Sequence, residues 1–169
     1  MRIAVKPFGP VDPAALEHLR TSLREFGDVD AIQEASLPAK AFDAKRGKYR
    51  ASAVLRACLA EPGDRILAVT DVDLFEEGKT FVFGYATIRD RFAVISTRRL
   101  HDGSAVRFLD RVEKEAFHEI GHTLGLDHDP DPGCVMHFSN SLQDTDRKGR
   151  RWCAGCAAVA EPTLRRLGR

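Results

Sequence analysis

Within eleven residues, His118-Glu119-Ile120-Gly121-His122-Thr123-Leu124-Gly125-Leu126-Asp127-His128 sets three imidazoles, a carboxylate and a glycine at the spacing H-E-x-x-H-x-x-G-x-x-H. His118 and His122 are four residues apart. On a helix they share one face at roughly 6 Å, close enough for two ring nitrogens to bind one zinc ion. Glu119 is rotated about 100° from His118, beside the metal rather than on it. There its carboxylate can take a proton from water and pass it to a leaving amine. Gly125 stands where the helix must stop. Lacking Cβ, it tolerates a left-handed turn that swings the chain back and delivers His128 as a third ligand. Three protein ligands leave a fourth position open, the arrangement of a catalytic zinc. The implied chemistry is metal-assisted hydrolysis with Glu119 as base. The competing reading is a helix with incidental histidines. Five fixed positions in register arise by accident on the order of 10⁻⁵ to 10⁻⁴ times per chain of this length, which favours the metal site.

A second group lies downstream. Cys153 and Cys156 form C-x-x-C, and Cys134 precedes them. C-x-x-C alone is shared by buried thiol pairs and redox motifs. With Cys134 close to an expected metal centre, a structural metal is the better reading. Cys58 falls on the apolar face of an expected helix and reads as an inert core residue. His101 and His137 have no partner at ligand spacing and read as surface or hydrogen-bonding groups.

The surrounding pattern must position these residues. Arg2 to Phe8 reads as a strand closed by Gly9-Pro10. Asp12 then caps a helix with Pro13 at its first position, carrying Ala15, Leu16, Leu19, Leu23 and Phe26 at helical spacing. Val29 to Leu37 reads as a second strand, Lys40 to Gly47 as a loop, and Tyr49 to Ala60 as a helix stopped by Pro62-Gly63. Three strand-like runs rich in β-branched and aromatic residues follow: Arg65 to Thr70, Thr80 to Ile88 and Arg91 to Thr97. Val106 to Leu124 is a long amphipathic helix bearing the first two motif histidines. Beyond it the chain is rich in Asp, Pro and Gly until a last helix from about Ala154 to Leu167. This order gives an α+β fold with a twisted, mostly N-terminal sheet and a small C-terminal lobe. We expect one domain over 1–169, divided into a sheet and active-site-helix part (1–125) and a C-terminal part (126–169).

Bulk properties exclude several classes. The 169 residues are 43% hydrophobic and 30% charged, which is ordinary for a globular domain and unlike a disordered one. A net charge of +1 gives no global pull toward nucleic acid or membrane. No apolar run approaches the roughly 20 residues of a membrane span, and the first residues carry no signal-peptide core. These features predict a cytoplasmic protein.

The histidine motif resembles that of the metzincins, in which a methionine-containing turn follows the third histidine and lies beneath the metal. Met136, eight residues after His128, fits that role. Among metzincins the chain is most similar to the archaemetzincins. Cys134-Val135-Met136, Phe138-Ser139-Asn140 and Cys153-Ala154-Gly155-Cys156 carry the likeness, which is sharp over Phe117 to Cys156. Secreted adamalysin-type metzincins share the Asp after the third histidine but lack this C-x-x-C. The resemblance implies a metallopeptidase with two zinc ions, one catalytic and one structural. It also implies a strand on the upper rim of the cleft that pairs with extended peptide, for which Thr80 to Ile88 is the candidate, with Gly84 allowing close approach. One position departs from the family: after the third histidine stands Asp129, where archaemetzincins have Cys. Asp129 either replaces the missing thiolate beside Cys134, Cys153 and Cys156, or is a buried hydrogen-bond acceptor that leaves the site weakened or empty. Some metzincins use a tyrosine after the methionine to stabilise the oxyanion. Here Tyr49 and Tyr85 both lie upstream, which leaves zinc, a backbone amide or His137.

The expected partner is a peptide or protein substrate, acted on by a monomer, with neither nucleic acid nor membrane. Two other classes compete. A non-catalytic peptide- or protein-binding module could keep the fold, although an intact Glu119 argues against it. The basic residues Arg147, Lys148, Arg150, Arg151, Arg165, Arg166 and Arg169 could form a nucleic-acid contact. Near-zero net charge and nearby Asp144 and Asp146 favour a solvated surface instead.

Overall fold

Alternation of side chains builds the centre of the molecule. The computed structural model describes residues 1–168; Arg169, the last of the basic residues named above, lies outside them. In β1 (Arg2–Phe8), Ile3 and Val5 enter one apolar cluster while Ala4 and Phe8 enter the cluster on the opposite face. Asp12 Oδ1 accepts the Ala14 amide at 2.8 Å and Pro13 opens α1 (Pro13–Ser22), as expected of that pair. The chain then runs through β2 (Asp28–Ala31), a hairpin of β3 (Phe42–Asp43) and β4 (Lys48–Arg50), and α2 (Ala51–Arg56). Next come β5 (Arg65–Thr70), β6 (Leu74–Phe75), β7 (Gly84–Ala86) and β8 (Phe92–Ser96). The helices α3 (Ala105–Thr123), α4 (Leu142–Arg147) and α5 (Ala154–Arg166) complete the fold.

Five strands form one sheet in the order β2-β1-β5-β8-β7. The first three pairings are parallel; β7 alone is antiparallel and lies at the edge. One face is covered by α1 and α3, with Leu67, Val69, Ala93 and Ile95 meeting Phe117 and Ile120. Ala160 and Leu164 of α5, with Cys134 to Met136, join the same cluster. The other face packs on α2 through Ile66, Ala68 and Val94. A second, three-stranded sheet has the order β3-β4-β6. No helix among the described residues is long and apolar enough to cross a membrane.

Several expected elements are shorter, each for a tertiary reason. The expected strand Val29 to Leu37 keeps its ladder only through Ala31, after which one bridge joins Phe8 to Ala35. Thr80 to Ile88 is divided: Val82 bridges to Leu74, so only Gly84–Ala86 stays in the ladder with β8. The expected helix from Tyr49 starts at Ala51 because Tyr49 and Arg50 pair with Leu74 and Phe75. Within the expected Lys40–Gly47 loop, Asp43 Oδ1 accepts the amides of Lys45 and Arg46 and closes the β3–β4 hairpin. The Asp-rich segment expected to be irregular holds α4, whose signal is Ser141-x-x-Asp144: Ser141 Oγ accepts the Asp144 amide at 3.2 Å.

Candidate metal centres and cleft

Every residue of α3 from Lys114 to Thr123 is buried, although many are polar. Burial of that kind is tolerated only where each charge is answered. Arg111 reaches Asp102 and Asp146 at 2.8 and 2.6 Å, Lys114 reaches Asp110 at 2.9 Å, and Lys148 meets Glu115 at 2.8 Å. The Arg111–Asp146 and Glu115–Lys148 pairs fix the helix against α4 and the segment after it.

The helix ends as its glycine requires. Gly125 has φ +100°, its amide donates to His122 O at 3.0 Å, and the Leu126 amide donates to Gly121 O at 3.1 Å. The reversal brings the His128 ring to 5.2 Å from that of His118 and 5.0 Å from that of His122, centroid to centroid. His118 Nδ1 lies 2.9 Å from Val135 O, and His122 Nδ1 lies 2.7 Å from Leu126 O. A carbonyl only accepts, so each Nδ1 carries the proton and each Nε2 offers a lone pair. The two Nε2 atoms face one another at 3.1 Å. Desolvation holds both imidazoles below their ordinary pKa, and the Lys148 ammonium adds to this at His118. Two neutral nitrogens with converging lone pairs repel unless a cation lies between them. A nitrogen donor from each of the three histidines lies within 4.8 Å of the others, and the set fits zinc.

Glu119 stands beside this cluster with Oε2 buried and unpartnered. Burial, and secondarily the Glu115 carboxylate, push its pKa well above the ordinary carboxylate range. Opposite it is Gly84 on the edge strand, where a Cβ would fall 2.4 Å from Glu119 Oε1. The four motif side chains and Gly84 line a cleft of about 300 Å³ whose apolar wall includes Phe81, Phe83 and Phe138.

The second centre starts at the very next residue. Asp129 Oδ2 lies 3.2 Å from both Cys153 Sγ and Cys156 Sγ, and Cys134 Sγ lies 3.8 Å from Cys156 Sγ. Asp129 Oδ1 accepts the Asp131 amide at 2.8 Å, which turns Oδ2 toward the sulfurs. That amide, and then the two thiols, hold the Asp129 carboxyl below its usual range. The Cys153 amide donates to Cys134 Sγ at 3.2 Å and the Cys156 amide to Cys153 Sγ at 3.4 Å. Cys153 also caps α5. All four cysteines are free. Three sulfurs and one carboxylate oxygen within 4.8 Å of one another suit a closed tetrahedral zinc site.

The structure thus brings together both sets of residues singled out by spacing. Cys58 stays apart, buried, its thiol pushed up to about 12 by desolvation. His101 stacks on Phe108 at 3.8 Å, and His137 Nδ1 lies 3.0 Å from Asp129 O. Of the basic run, Lys148 is buried against Glu115, Arg150 pairs with Asp110, Arg151 with Glu25 and Arg165 with Glu161. Two contributors escaped the sequence reading. Gly121 is required because a Cβ there would lie 2.4 Å from Met136 Sδ, which packs directly under the motif helix. A glycine inside a helix costs about 1 kcal/mol, and that was the available signal. The Glu115–Lys148 pair joins residues too far apart in sequence to be matched by spacing.

The chain as a whole is similar to known proteins. Residues 39–161 match the model of Peptidase family M54. The archaemetzincin of Methanopyrus kandleri is 44% identical over 138 residues, covering 80% of this chain and 79% of that protein. A crystal structure of the Methanopyrus kandleri archaemetzincin superposes with a TM-score of 0.90 at 37% identity, over 98% of this chain and 96% of that one. The archaemetzincin of Archaeoglobus fulgidus, crystallised with malonate, superposes with a TM-score of 0.87 at 37% identity, over 94% and 99%.

Proposed function

The chain belongs to Peptidase family M54, the archaemetzincins, and on that premise we propose that His118, His122 and His128 hold a catalytic zinc beside Glu119 as general base. The observation that carries this reading is the pair of Nε2 lone pairs converging at 3.1 Å next to a buried, unpartnered carboxylate oxygen, on the wall of an open cleft. When bound, zinc supplies Lewis acidity toward the scissile carbonyl and the attacking water.

The chain's own residues do the rest. Val135 O and Leu126 O fix the tautomers and ring planes of His118 and His122, so both rings present Nε2 without reorganising. Glu119 takes a proton from the attacking water and returns it to the leaving amine. Gly84 lets the edge strand lie close against Glu119, so extended substrate backbone can add to β7 without being pushed off the base. Met136 under Gly121 supports the helix from below. We further propose that Cys134, Cys153, Cys156 and Asp129 hold a second, structural zinc, and that residues 126–169 form the C-terminal part of one domain stapled by it.

Digestion of a mixed peptide pool, read by mass spectrometry on protein of known zinc content, tests the proposal. Wild type should cleave, and Glu119→Ala should lose about 10²- to 10⁴-fold in rate while keeping its zinc. Cleavage undiminished in that variant would remove Glu119 from the mechanism.

A further inference from the structure

Nine of the eighteen described arginines meet a carboxylate. Arg99 reaches Asp73 at 2.5 Å, Arg111 reaches Asp146 at 2.6 Å, and Arg165 reaches Glu161 at 2.6 Å. Four others converge without one. Arg65, Arg89, Arg91 and Arg166 line a cavity of about 310 Å³ behind the C-terminal end of α3, which shares no lining residue with the cleft. Among the described residues none of the four has an ion pair.

The two acids at this cavity, Asp64 and Asp90, offset two of its four positive charges. Asp64 Oδ2 accepts the Arg2 amide at 2.7 Å, and Asp90 Oδ1 accepts the Arg91 amide at 2.7 Å. Arg65 is 7% exposed, donates to Asp64 O at 2.6 Å and Thr123 O at 3.3 Å, and keeps Nε buried without a partner. Arg91 donates to Glu61 O and likewise leaves Nε unpartnered. The guanidinium groups of Arg89 and Arg166 make no hydrogen bond to the protein among the described residues. Desolvation holds Arg65 below its ordinary pKa, and the neighbouring charges of Arg166 and Arg91 push the same way against Asp64 and Asp90. Four guanidinium groups against two carboxylates leave this opening with an excess of positive charge, carried outward by the exposed Arg89 and Arg166.

The backbone is also shaped for the purpose. Arg89 is the one non-glycine residue with positive φ, +58°, among the described residues. In that conformation its amide donates to His122 O at 3.2 Å, and its side chain runs along Gly125, where a Cβ would lie 3.2 Å from Arg89 Cγ. A simpler role accounts for part of this. Arg65 and the Arg89 amide satisfy carbonyls at the negative end of α3. That role uses neither the Arg89 nor the Arg166 guanidinium.

We propose that this cavity is a binding site for a small phosphate-bearing ligand, held by the guanidinium forks of Arg89 and Arg166 in the positive field of Arg65 and Arg91. Several forks around one opening suit the many acceptor oxygens of a phosphate, whereas a single carboxylate is satisfied by one. The site is a shallow opening on the surface, with Arg89 and Arg166 exposed at its rim and room for a phosphate with a modest organic group. The site does not depend on the reading of the histidine cluster.

Calorimetric titration of inorganic phosphate into the zinc-loaded protein, at ionic strength held constant with potassium chloride, tests it. Wild type should bind one phosphate per chain. Arg89→Ala and Arg166→Ala should each weaken binding about tenfold or more, Arg166→Lys should recover only part of the loss, and His128→Ala should bind as wild type does. Two results overturn the proposal: no phosphate-dependent heat in wild type, or binding kept in both arginine variants and lost in His128→Ala, which would put phosphate on the catalytic metal instead.

Discussion

Two donor clusters stand one peptide bond apart, at His128 and Asp129, and are built on opposite principles. The histidine cluster offers neutral donors on the wall of a cleft of about 300 Å³, and its neighbouring carboxylate is left without a partner. The cysteine cluster offers three sulfurs and a carboxylate, receives backbone amides at 3.2 and 3.4 Å, and buries Cys134 and Cys156 in the core. A divalent ion among three imidazoles keeps its full positive charge and an open position for substrate. The same ion among three thiolates and a carboxylate is over-neutralised and enclosed, so its binding energy goes into holding the chain. Donor charge and access, more than the metal, separate a reactive centre from a stapling one.

The contrast can be broken first at the cleft. Gly84→Ala puts a Cβ against Glu119 Oε1, so the base must move; peptide turnover should fall by about 10²-fold with zinc content unchanged. Metal analysis alongside kinetics checks this, and a simultaneous loss of zinc would mean the edge strand supports the metal rather than the base. At the other centre, Cys153→Ser combined with Cys156→Ser should remove one zinc equivalent and several kcal/mol of stability, lowering Tm by about 10 °C while the histidine zinc remains. Equal Tm values for variant and wild type would deny the second centre its structural role.

Acid should act on the histidine cluster of the metal-free protein. Burial places the His118, His122 and His128 pKa values below the ordinary imidazole value near 6.5. Below that value the unfolded chain therefore binds more protons than the folded one, and stability falls as pH drops from about 6.5 through the lowered values. Urea midpoints that stay level between pH 8 and 7 and decline below 6.5 are the expected profile. His118→Gln should flatten it. The smallest effect sharpens the comparison most. Asp129→Cys should slow zinc transfer from the cysteine centre to a chelator by about tenfold, roughly 1.4 kcal/mol, without changing turnover. Faster loss in that variant would mean the carboxylate fits its place better than a thiolate does.

Much of this was legible in the chain. β1, β5 and α3 fall within a residue of where alternation and helical spacing put them, because each is long, strongly patterned and bounded by glycine, proline or a cap. The turn at Gly125 followed from the one residue there that tolerates φ +100°. Short elements did not show themselves. β6 has two residues and β4 three, too few to display a period, and the span around Phe81 to Ala86 serves two sheets at once. The Glu115–Lys148 pair was invisible for a different reason: Lys148 follows Glu115 by more than thirty residues and meets it only after α4 folds back.

What the sequence determined by itself is the chemistry of the donors. Spacing of four puts His118 and His122 on one helical face, a glycine permits the reversal to His128, and three cysteines downstream supply sulfur. Those are local consequences of helix geometry and of the absence of a Cβ. The tertiary structure decided which nitrogen each imidazole presents, because Val135 O and Leu126 O arrive from beyond the helix. It also decided that Asp129 faces the sulfurs, that Gly84 rests on Glu119, and that four arginines share one opening. Each of these depends on segments distant in sequence meeting at ångström range, and residue type and spacing along one segment hold no record of such meetings.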